Sequence, residues 1–64
     1  MHIGDKVQVK EEYLKKIANK DSELAKFLFN KIGMIVGFDE ITWYFIVEFD
    51  DKKLWFRRFH LIHV

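Results

Sequence analysis

The second half of the chain, residues 33–64, consists of short apolar segments separated by acidic breaks. The most apolar segment, residues 42–49, is dominated by the aromatic and β-branched residues that favour strands. The breaks Asp39-Glu40 and Asp50-Asp51 are typical of tight turns, because aspartate readily hydrogen-bonds nearby backbone groups. Strands joined by such short connections pair antiparallel. This half of the chain therefore predicts a small, aromatic-rich antiparallel meander.

Alternation along these segments assigns their side chains to two faces, because successive residues of a strand point in opposite directions. One set is too apolar to face water and is expected to form the core: Trp43, Phe45, Val47, Phe49, Leu54 and Phe56. The other set is expected to point outward: Tyr44, Ile46, Trp55 and Arg57. The meander does not need this outer aromatic and cationic surface for its own core. Any binding function is therefore predicted on the outer face.

Shorter segments complete the predicted sheet. Residues 6–10 alternate apolar and polar side chains, so Val7 and Val9 share one face of a short strand. Residues 33–38 form another strand, in which Gly37 marks a bulge or a close backbone approach. Residues 58–60 are expected to form one tight turn, followed by a short closing strand at residues 61–64.

Between the first two strands, the apolar pattern changes to a helical period. Apolar side chains three or four residues apart are typical of an amphipathic helix: Leu14, Ile17, Leu24, Phe27 and Leu28. Asp21 or Ser22 can cap a second helix by accepting a hydrogen bond from a free backbone N–H group. We expect a short helical turn near residues 12–18 and a firmer helix near residues 22–30, ended by a left-handed residue at Asn30 or Gly33. The apolar stripe is interpreted as a lid over an open end of the fold, and the alternative is a groove for a partner.

The 64-residue length predicts one domain spanning residues 1–64. A chain this short buries only about 60% of the surface that its unfolded form exposes, so its stability is marginal. It has no cysteine, and therefore neither disulfides nor zinc thiolates can stabilise it. Dense packing or a partner chain must compensate. Part of the aromatic content, 17% of the residues, is expected to serve an interface with another protein or a second copy of the chain.

The sequence carries no signal for a membrane or for export. Its longest apolar run, residues 43–47, is far shorter than the about 20 residues of a membrane-spanning helix. The first residues lack the apolar stretch of a secretory signal. The lack of cysteine fits a reducing compartment. We therefore expect a cytoplasmic protein without a membrane partner.

Three motifs resemble those of SH3-like small β-barrels. Residues 3–9, Ile-Gly-Asp-Lys-Val-Gln-Val, resemble the opening strand of KOW and Tudor-like barrels. Residues 31–37, Lys-Ile-Gly-Met-Ile-Val-Gly, resemble their second strand. Residues 47–51 and 54–57, followed by Leu-Ile-His-Val at 61–64, resemble their ending. The variable chain of ferredoxin–thioredoxin reductase and the nitrile hydratase β-chain barrel share this frame.

The resemblance implies a mainly β fold: an SH3-like, five-stranded antiparallel barrel whose first loop, about residues 11–31, is helical. It covers about two-thirds of the chain. Lys52-Lys53 stand where those barrels carry a loop glycine, and the helical first loop is long for a connection. Such barrels perform unrelated functions, so the resemblance transfers no binding residue.

Groups suited to catalysis are scarce. The single serine, Ser22, is better explained as a helix cap than as a nucleophile. The adjacent carboxylates stand at hairpin tips, which are normally exposed to water, whereas an acid–base pair needs one buried carboxyl group. Turn chemistry explains them better. His60 and His63 are three residues apart, but no cysteine is available to complete a zinc site with them. We expect no enzyme activity, no cofactor and no metal.

A predicted binding surface combines aromatic and cationic side chains: Tyr44, Lys53, Trp55, Arg57 and Arg58. An exposed tryptophan beside arginine is a common composition of protein interfaces. Flat rings and cations also stack bases and hold phosphates. A further alternative is that Trp55 packs beneath the helical insert and the arginines only keep the surface soluble.

The predicted function is a non-catalytic interaction module that docks a protein partner through this surface. The alternative is a nucleic-acid-binding small barrel of the KOW or Tudor-like type. The net charge of +1 is low for a dedicated nucleic-acid-binding domain, which is usually clearly basic. Docking to a protein is therefore the first prediction.

Overall fold

A computed structural model describes residues 1–64. The strands are β1 (Lys6–Val9), β2 (Gly33–Phe38), β3 (Tyr44–Phe49), β4 (Lys52–Arg57) and β5 (Leu61–His63). The helices are α1 (Glu11–Lys20) and α2 (Ser22–Leu28), and a 3₁₀ turn spans Arg58–His60. The prediction of a mainly β chain with a helical insert is confirmed. None of the helices has the length and apolar character needed to cross a membrane.

The five strands form one antiparallel sheet in the order β4-β3-β2-β1-β5. β2, β3 and β4 make the predicted meander, and β1 pairs with both β2 and β5. The order leaves β4 and β5 at the two edges, so the pairing describes an open sheet. The β2–β3 register shifts between Ile35 and Gly37, which confirms the bulge predicted at Gly37.

The core lies on the face of the sheet that alternation predicted. Phe45, Val47 and Phe49 of β3 are buried, and the Phe49 ring meets Phe56 edge to face at 6.0 Å between centroids. The helices contribute two side chains and the other strands the rest of the buried cluster: Val7, Val9, Leu14, Leu28, Ile35 and Leu61. Leu54, also predicted to face the core, is half-buried at its margin.

The prediction that Trp43 faces the core is wrong. β3 begins one residue later, at Tyr44, and the Trp43 side chain is 68% exposed. The preceding turn explains the difference. The Asp39 carboxylate accepts hydrogen bonds from the backbone N–H groups of Ile41 and Thr42, at 2.9 and 3.2 Å. This turn extends through Trp43, whose φ is +65°, so the alternation starts only after it.

The insert contains two helices, but their predicted lengths are reversed. α1 has 10 residues and α2 has 7, whereas the spacing favoured a longer second helix. Asp21 alone interrupts the helical path, with an extended backbone and a side chain that accepts from the Leu24 N–H group at 3.1 Å. α2 ends at Leu28, and Asn30 takes the left-handed conformation that was predicted for it or Gly33.

The apolar stripe of the insert faces the core, as predicted. Leu14 and Leu28 are buried within the core cluster. Three further stripe residues, Ile17, Leu24 and Phe27, are partly buried against it, together with Tyr13. The helices therefore cover apolar surface that the sheet alone would leave in water, which stabilises the fold by about 25 cal/mol for each Å² removed from water.

The β3–β4 hairpin turns at Asp50 and Asp51, between the paired residues Phe49 and Lys52. Asp50 takes a left-handed φ of +54°, which aspartate tolerates better than most residues. The Asp50 carboxylate also accepts a hydrogen bond from the Lys31 ammonium group at 2.9 Å, which ties the hairpin tip to the segment after α2.

Gly33 is expected to tolerate no side chain. A Cβ atom there would lie 2.6 Å from Phe49 Cε1 and 2.8 Å from Val47 Cγ1, and both of these side chains are fully buried. Gly33→Ala should therefore lower the free energy of unfolding by about 1–3 kcal/mol, the usual cost of overpacking.

Gly37→Ala is the matched control. Its Cβ would meet only Ile46, with the nearest atom 3.1 Å away at the end of a half-buried side chain. Urea denaturation of both variants measures the difference. Equal losses at the two positions would show that Phe49 is packed less tightly than described.

Candidate functional site

Three of the predicted binding residues lie together on the outer face of the β3–β4 hairpin. Tyr44 pairs directly with Arg57, and the Arg57 guanidinium lies over the Tyr44 ring, 4.5 Å from its centroid. The Trp55 ring meets Tyr44 edge-on at 6.4 Å between centroids. Trp55 is 51% exposed, so the insert does not cover it. Its predicted outward orientation is confirmed.

The other two predicted residues flank this cluster. Lys53 precedes Trp55 by two residues on the same face of β4 and pairs with Glu48 across the hairpin. Arg58 leaves the strand and begins the 3₁₀ turn, where it is exposed. We call the five residues together the aromatic–arginine surface: Tyr44, Lys53, Trp55, Arg57 and Arg58.

A cleft of about 320 Å³ adjoins this surface at the end of the hairpin, and we call it the Trp43 cleft. Its lining combines aromatic residues with both arginines: Met1, Phe38, Trp43, Phe45, Arg57, Arg58 and Phe59. The Phe38 ring packs edge-on against Trp43 at 5.9 Å and tilts against Phe45 at 4.9 Å. Phe59, on the 3₁₀ turn, is 65% exposed. The cleft is therefore an apolar depression with a cationic rim.

The turn before β3 holds Trp43 at the mouth of this cleft. Two backbone N–H groups donate to Asp39, and they hold the pKa of that carboxyl below its ordinary value. The Trp43 N–H donates to the Asp39 carbonyl at 2.8 Å, and Arg57 Nη1 donates to the Thr42 carbonyl at 3.4 Å. A left-handed backbone is unfavourable for a bulky residue, so this network maintains a strained, exposed tryptophan.

The arginines have no carboxylate partner within the chain. The Asp50 carboxylate pairs with Lys31 and the Asp5 carboxylate contacts His63, and neither contact involves an arginine. Arg57 is held by the Tyr44 ring and one backbone carbonyl, which leaves most of its five donors for a ligand. Planar guanidinium groups bind carboxylates and phosphates in pairs of hydrogen bonds. The surface therefore offers apolar contact area beside unpaired positive charge.

His60 and His63 lie in different environments. His63 Nε2 lies 3.1 Å from the Asp5 carboxylate. The hydrogen bond from the His2 backbone N–H group lowers the pKa of Asp5 most, and the contact with His63 lowers it further. His60 instead stacks on Tyr13, with 3.5 Å between ring centroids and 7° between planes. His60 and His63, although only three residues apart in the sequence, thus contact different partners and have separate structural roles.

His60 is held in an environment that disfavours its charged form. Its Nδ1 atom is buried without a hydrogen-bond partner. Burial is the main cause that lowers the pKa of His60, and the positive charges of Lys16, Arg57 and Lys10 lower it further. The stacked pair links α1 to the 3₁₀ turn and so helps to position the adjacent Phe59.

The sequence pattern missed Phe38, Trp43 and Phe59 as parts of this site. Trp43 was assigned to the core, and Phe38 and Phe59 to a strand and a turn without a binding role. The sequence carries no signal for this: Ile41 is 90% exposed in the structure, and the turn is therefore longer than Asp39-Glu40. A longer turn shifts the start of the next strand.

No protein family, curated protein or solved structure matches the chain. What the site can do therefore follows from its own side chains. Its rings supply apolar area with few rotatable bonds, and its arginines supply hydrogen bonds for a planar anion. This chemistry suits binding.

Trp43→Gly is expected to leave the domain more stable than Trp43→Ala, although glycine is the smaller residue. Both variants lose the Phe38 contact, but only glycine adopts a φ of +65° without cost. The difference in free energy of unfolding should be about 1–2 kcal/mol, the penalty for a left-handed residue. Urea denaturation measures it, and an equal stability of both variants would contradict the strain.

Stability is expected to fall as the pH drops below about 6.5, the pKa of an ordinary histidine. Because burial lowers the pKa of folded His60, the unfolded chain binds more protons than the folded chain between the two pKa values. The contribution of His60 to stability is therefore fully present above the pKa that this residue has in the unfolded chain. It is lost as the pH falls toward the lower pKa that His60 has in the folded chain.

His60→Phe retains a flat ring against Tyr13 and should reduce this pH dependence. Melting temperatures measured from about pH 8 to about pH 5 avoid the range where most carboxylates titrate. His2→Gln, at an exposed histidine, is the control and should keep the wild-type profile. If the melting temperature of the His60→Phe variant falls with pH as steeply as that of the wild type, another group causes the pH dependence.

Proposed function

We propose that the chain is an SH3-like small barrel that serves as a non-catalytic interaction module. The strand order β4-β3-β2-β1-β5 supports this, with helices between β1 and β2 and a 3₁₀ turn between β4 and β5. The motifs quoted above resemble those barrels at the corresponding strands. Curling of the sheet around its buried face would bring the two edges toward each other.

The proposed partner is a protein, docked through the aromatic–arginine surface. The observation that carries this proposal is the exposure of Trp55 on a strand whose six residues all pair with β3, beside Tyr44 and Arg57. The core is filled without Trp55, because β4 buries Phe56 on the opposite face. Tryptophan, tyrosine and arginine are the residues most enriched among interface hot spots. Trp55 would supply the anchor, and the arginines would pair with carboxylates of the partner.

The proposal includes no catalytic step. Ser22 is the exposed first residue of α2, and no histidine is placed beside it as a base. The Asp39 carboxylate is engaged with backbone N–H groups of its own turn. These placements support structural roles for the groups that could otherwise carry acid–base or nucleophilic chemistry.

Nucleic acid is the second candidate partner. The observation in its favour is the row of Lys53, Trp55 and Arg57 on one face of β4, where a ring lies between two cations. Phosphate binding would release counterions, so affinity would fall steeply with salt. The low net charge of +1 makes this the weaker candidate.

Trp55→Ala should abolish partner capture while the domain stays folded. Because the side chain is half exposed, the loss of stability should be smaller than the about 3–5 kcal/mol of a buried tryptophan. Circular dichroism and melting temperature check the fold. Capture from an extract of the native host, at low and high salt and with or without nuclease, checks the partner.

Phe29→Ala is the matched control, since Phe29 is an exposed aromatic residue just after α2, outside the aromatic–arginine surface. It should capture the partner as the wild type does. Undiminished capture by Trp55→Ala would place the binding surface elsewhere. Capture that disappears with nuclease or high salt would support the nucleic-acid candidate instead.

A further inference from the structure

The 3₁₀ turn carries Phe59 at the meeting point of three depressions. The Trp43 cleft lies on one side of it. A second depression of about 520 Å³ is lined by Met1, Lys10, Arg58, Phe59, Leu61 and His63. A third, of about 150 Å³, is lined by Lys10, Glu12, Tyr13, Lys16, Phe59 and His60. Neighbouring depressions share lining residues, and we call the three depressions together the Phe59 groove.

Positive charge dominates the walls of this groove. Arg57 and Arg58 line the Trp43 cleft, and the other two depressions add Lys10 and Lys16. The only carboxylate in the lining is Glu12, at the far end from Trp43. None of these cations forms an ion pair within the chain. A ligand that brings carboxylates would therefore find unpaired partners along the groove.

Apolar character is concentrated at the other end of the groove. Phe38, Trp43 and Phe59 surround the Trp43 cleft and are all exposed to solvent. The cleft is large enough to receive a bulky apolar side chain. Burial of such a side chain against these rings would remove apolar surface of both partners from water. The groove thus combines one apolar pocket with a row of cations leading away from it.

We propose that the Phe59 groove binds an acidic peptide segment of the protein partner, with a bulky apolar residue seated in the Trp43 cleft. Glutamates or aspartates on either side of that residue pair with Arg58 and, further along, with Lys10. The proposal rests on the proposed function in one respect: the partner is a protein chain. It goes further by assigning the chemistry of the segment that is recognised.

The groove suits an acidic peptide better than a nucleic-acid strand. Nucleobases stack on rings that present open, parallel faces. Here Phe38 and Trp43 pack against each other at 81°, and Phe38 also contacts Phe45, so these rings form the walls of a pocket. A short acidic segment can pair with the few cations of the groove. The net charge of only +1 is low for binding a long nucleic-acid strand.

The direct test uses a short, end-blocked peptide in which one leucine is flanked on both sides by glutamates. Fluorescence anisotropy of this peptide, labelled at one end, measures its binding to the wild-type chain, in which Trp43 and Trp55 are both intact. We expect saturable binding by the acidic peptide. The same peptide with glutamines in place of glutamates, or glycine in place of leucine, should bind about tenfold more weakly or not at all.

Two variants on the protein side complete the test. Arg58→Gln and Phe59→Ala change exposed side chains and should each weaken peptide binding about tenfold. Lys26→Gln and Phe29→Ala are matched controls at exposed positions on α2 and just after it, outside the groove, and should bind normally. Circular dichroism and melting temperature confirm that all variants are folded.

The outcomes separate this inference from the proposed function. No peptide binding at millimolar concentration, or binding unaffected by Arg58→Gln and Phe59→Ala, would overturn the acidic-peptide proposal. Docking through the aromatic–arginine surface would still stand if Trp55→Ala abolished capture of the partner. Binding of oligothymidylate in place of the peptide, with the same dependence on Arg58, would overturn both. Peptide binding that survives Trp55→Ala would support the groove as the binding site, because Trp55 does not line it.

Discussion

The packing of Phe49 against Gly33 and Phe56 is the contact on which the rest of the structure depends. Phe49 is the largest fully buried side chain, and it occupies space that only a glycine at position 33 leaves free. Phe56 closes this contact from β4. A 64-residue chain without cysteine has few other ways to hold three strands together. The positions of β2, β3 and β4 follow from it.

The side chains of the aromatic–arginine surface have fixed positions because they lie on the face of the hairpin opposite that core. Strand alternation places Trp55 and Arg57 outward whenever Phe56 is buried between them. Pairing with β3 then places Tyr44 opposite Arg57. Ligand-binding side chains on paired strands lose less freedom upon binding than those on mobile loops. Arg57 also reaches the turn before β3, so it belongs to both the outer face and the Trp43 cleft.

Periodicity predicted the faces of the sheet well and its turns poorly. It assigned Phe45, Val47 and Phe49 correctly to the core, because a run of alternating residues has only two faces. It failed at Trp43, because a pattern does not reveal how many residues a turn consumes. That number depends on the backbone hydrogen bonds that Asp39 accepts. The predicted helix lengths were wrong for a similar reason, because a single residue, Asp21, separates α1 from α2. Within the candidate site, the outward-facing residues of the β3–β4 hairpin were predicted, whereas Phe38 at the end of β2 and two residues on turns, Trp43 and Phe59, were missed.

The position of β1 has a consequence for how the chain folds. β1 pairs with β5, so Val7 lies opposite His63 across almost the whole length of the chain. The meander β2-β3-β4 needs only neighbouring segments and closes short loops, which is fast. The β1–β5 pairing closes the longest loop and carries the larger entropic cost. During synthesis, one edge of β1 therefore stays unpaired until β5 has left the ribosome. The β3–β4 hairpin can form earlier, because both of its strands precede β5 in the chain.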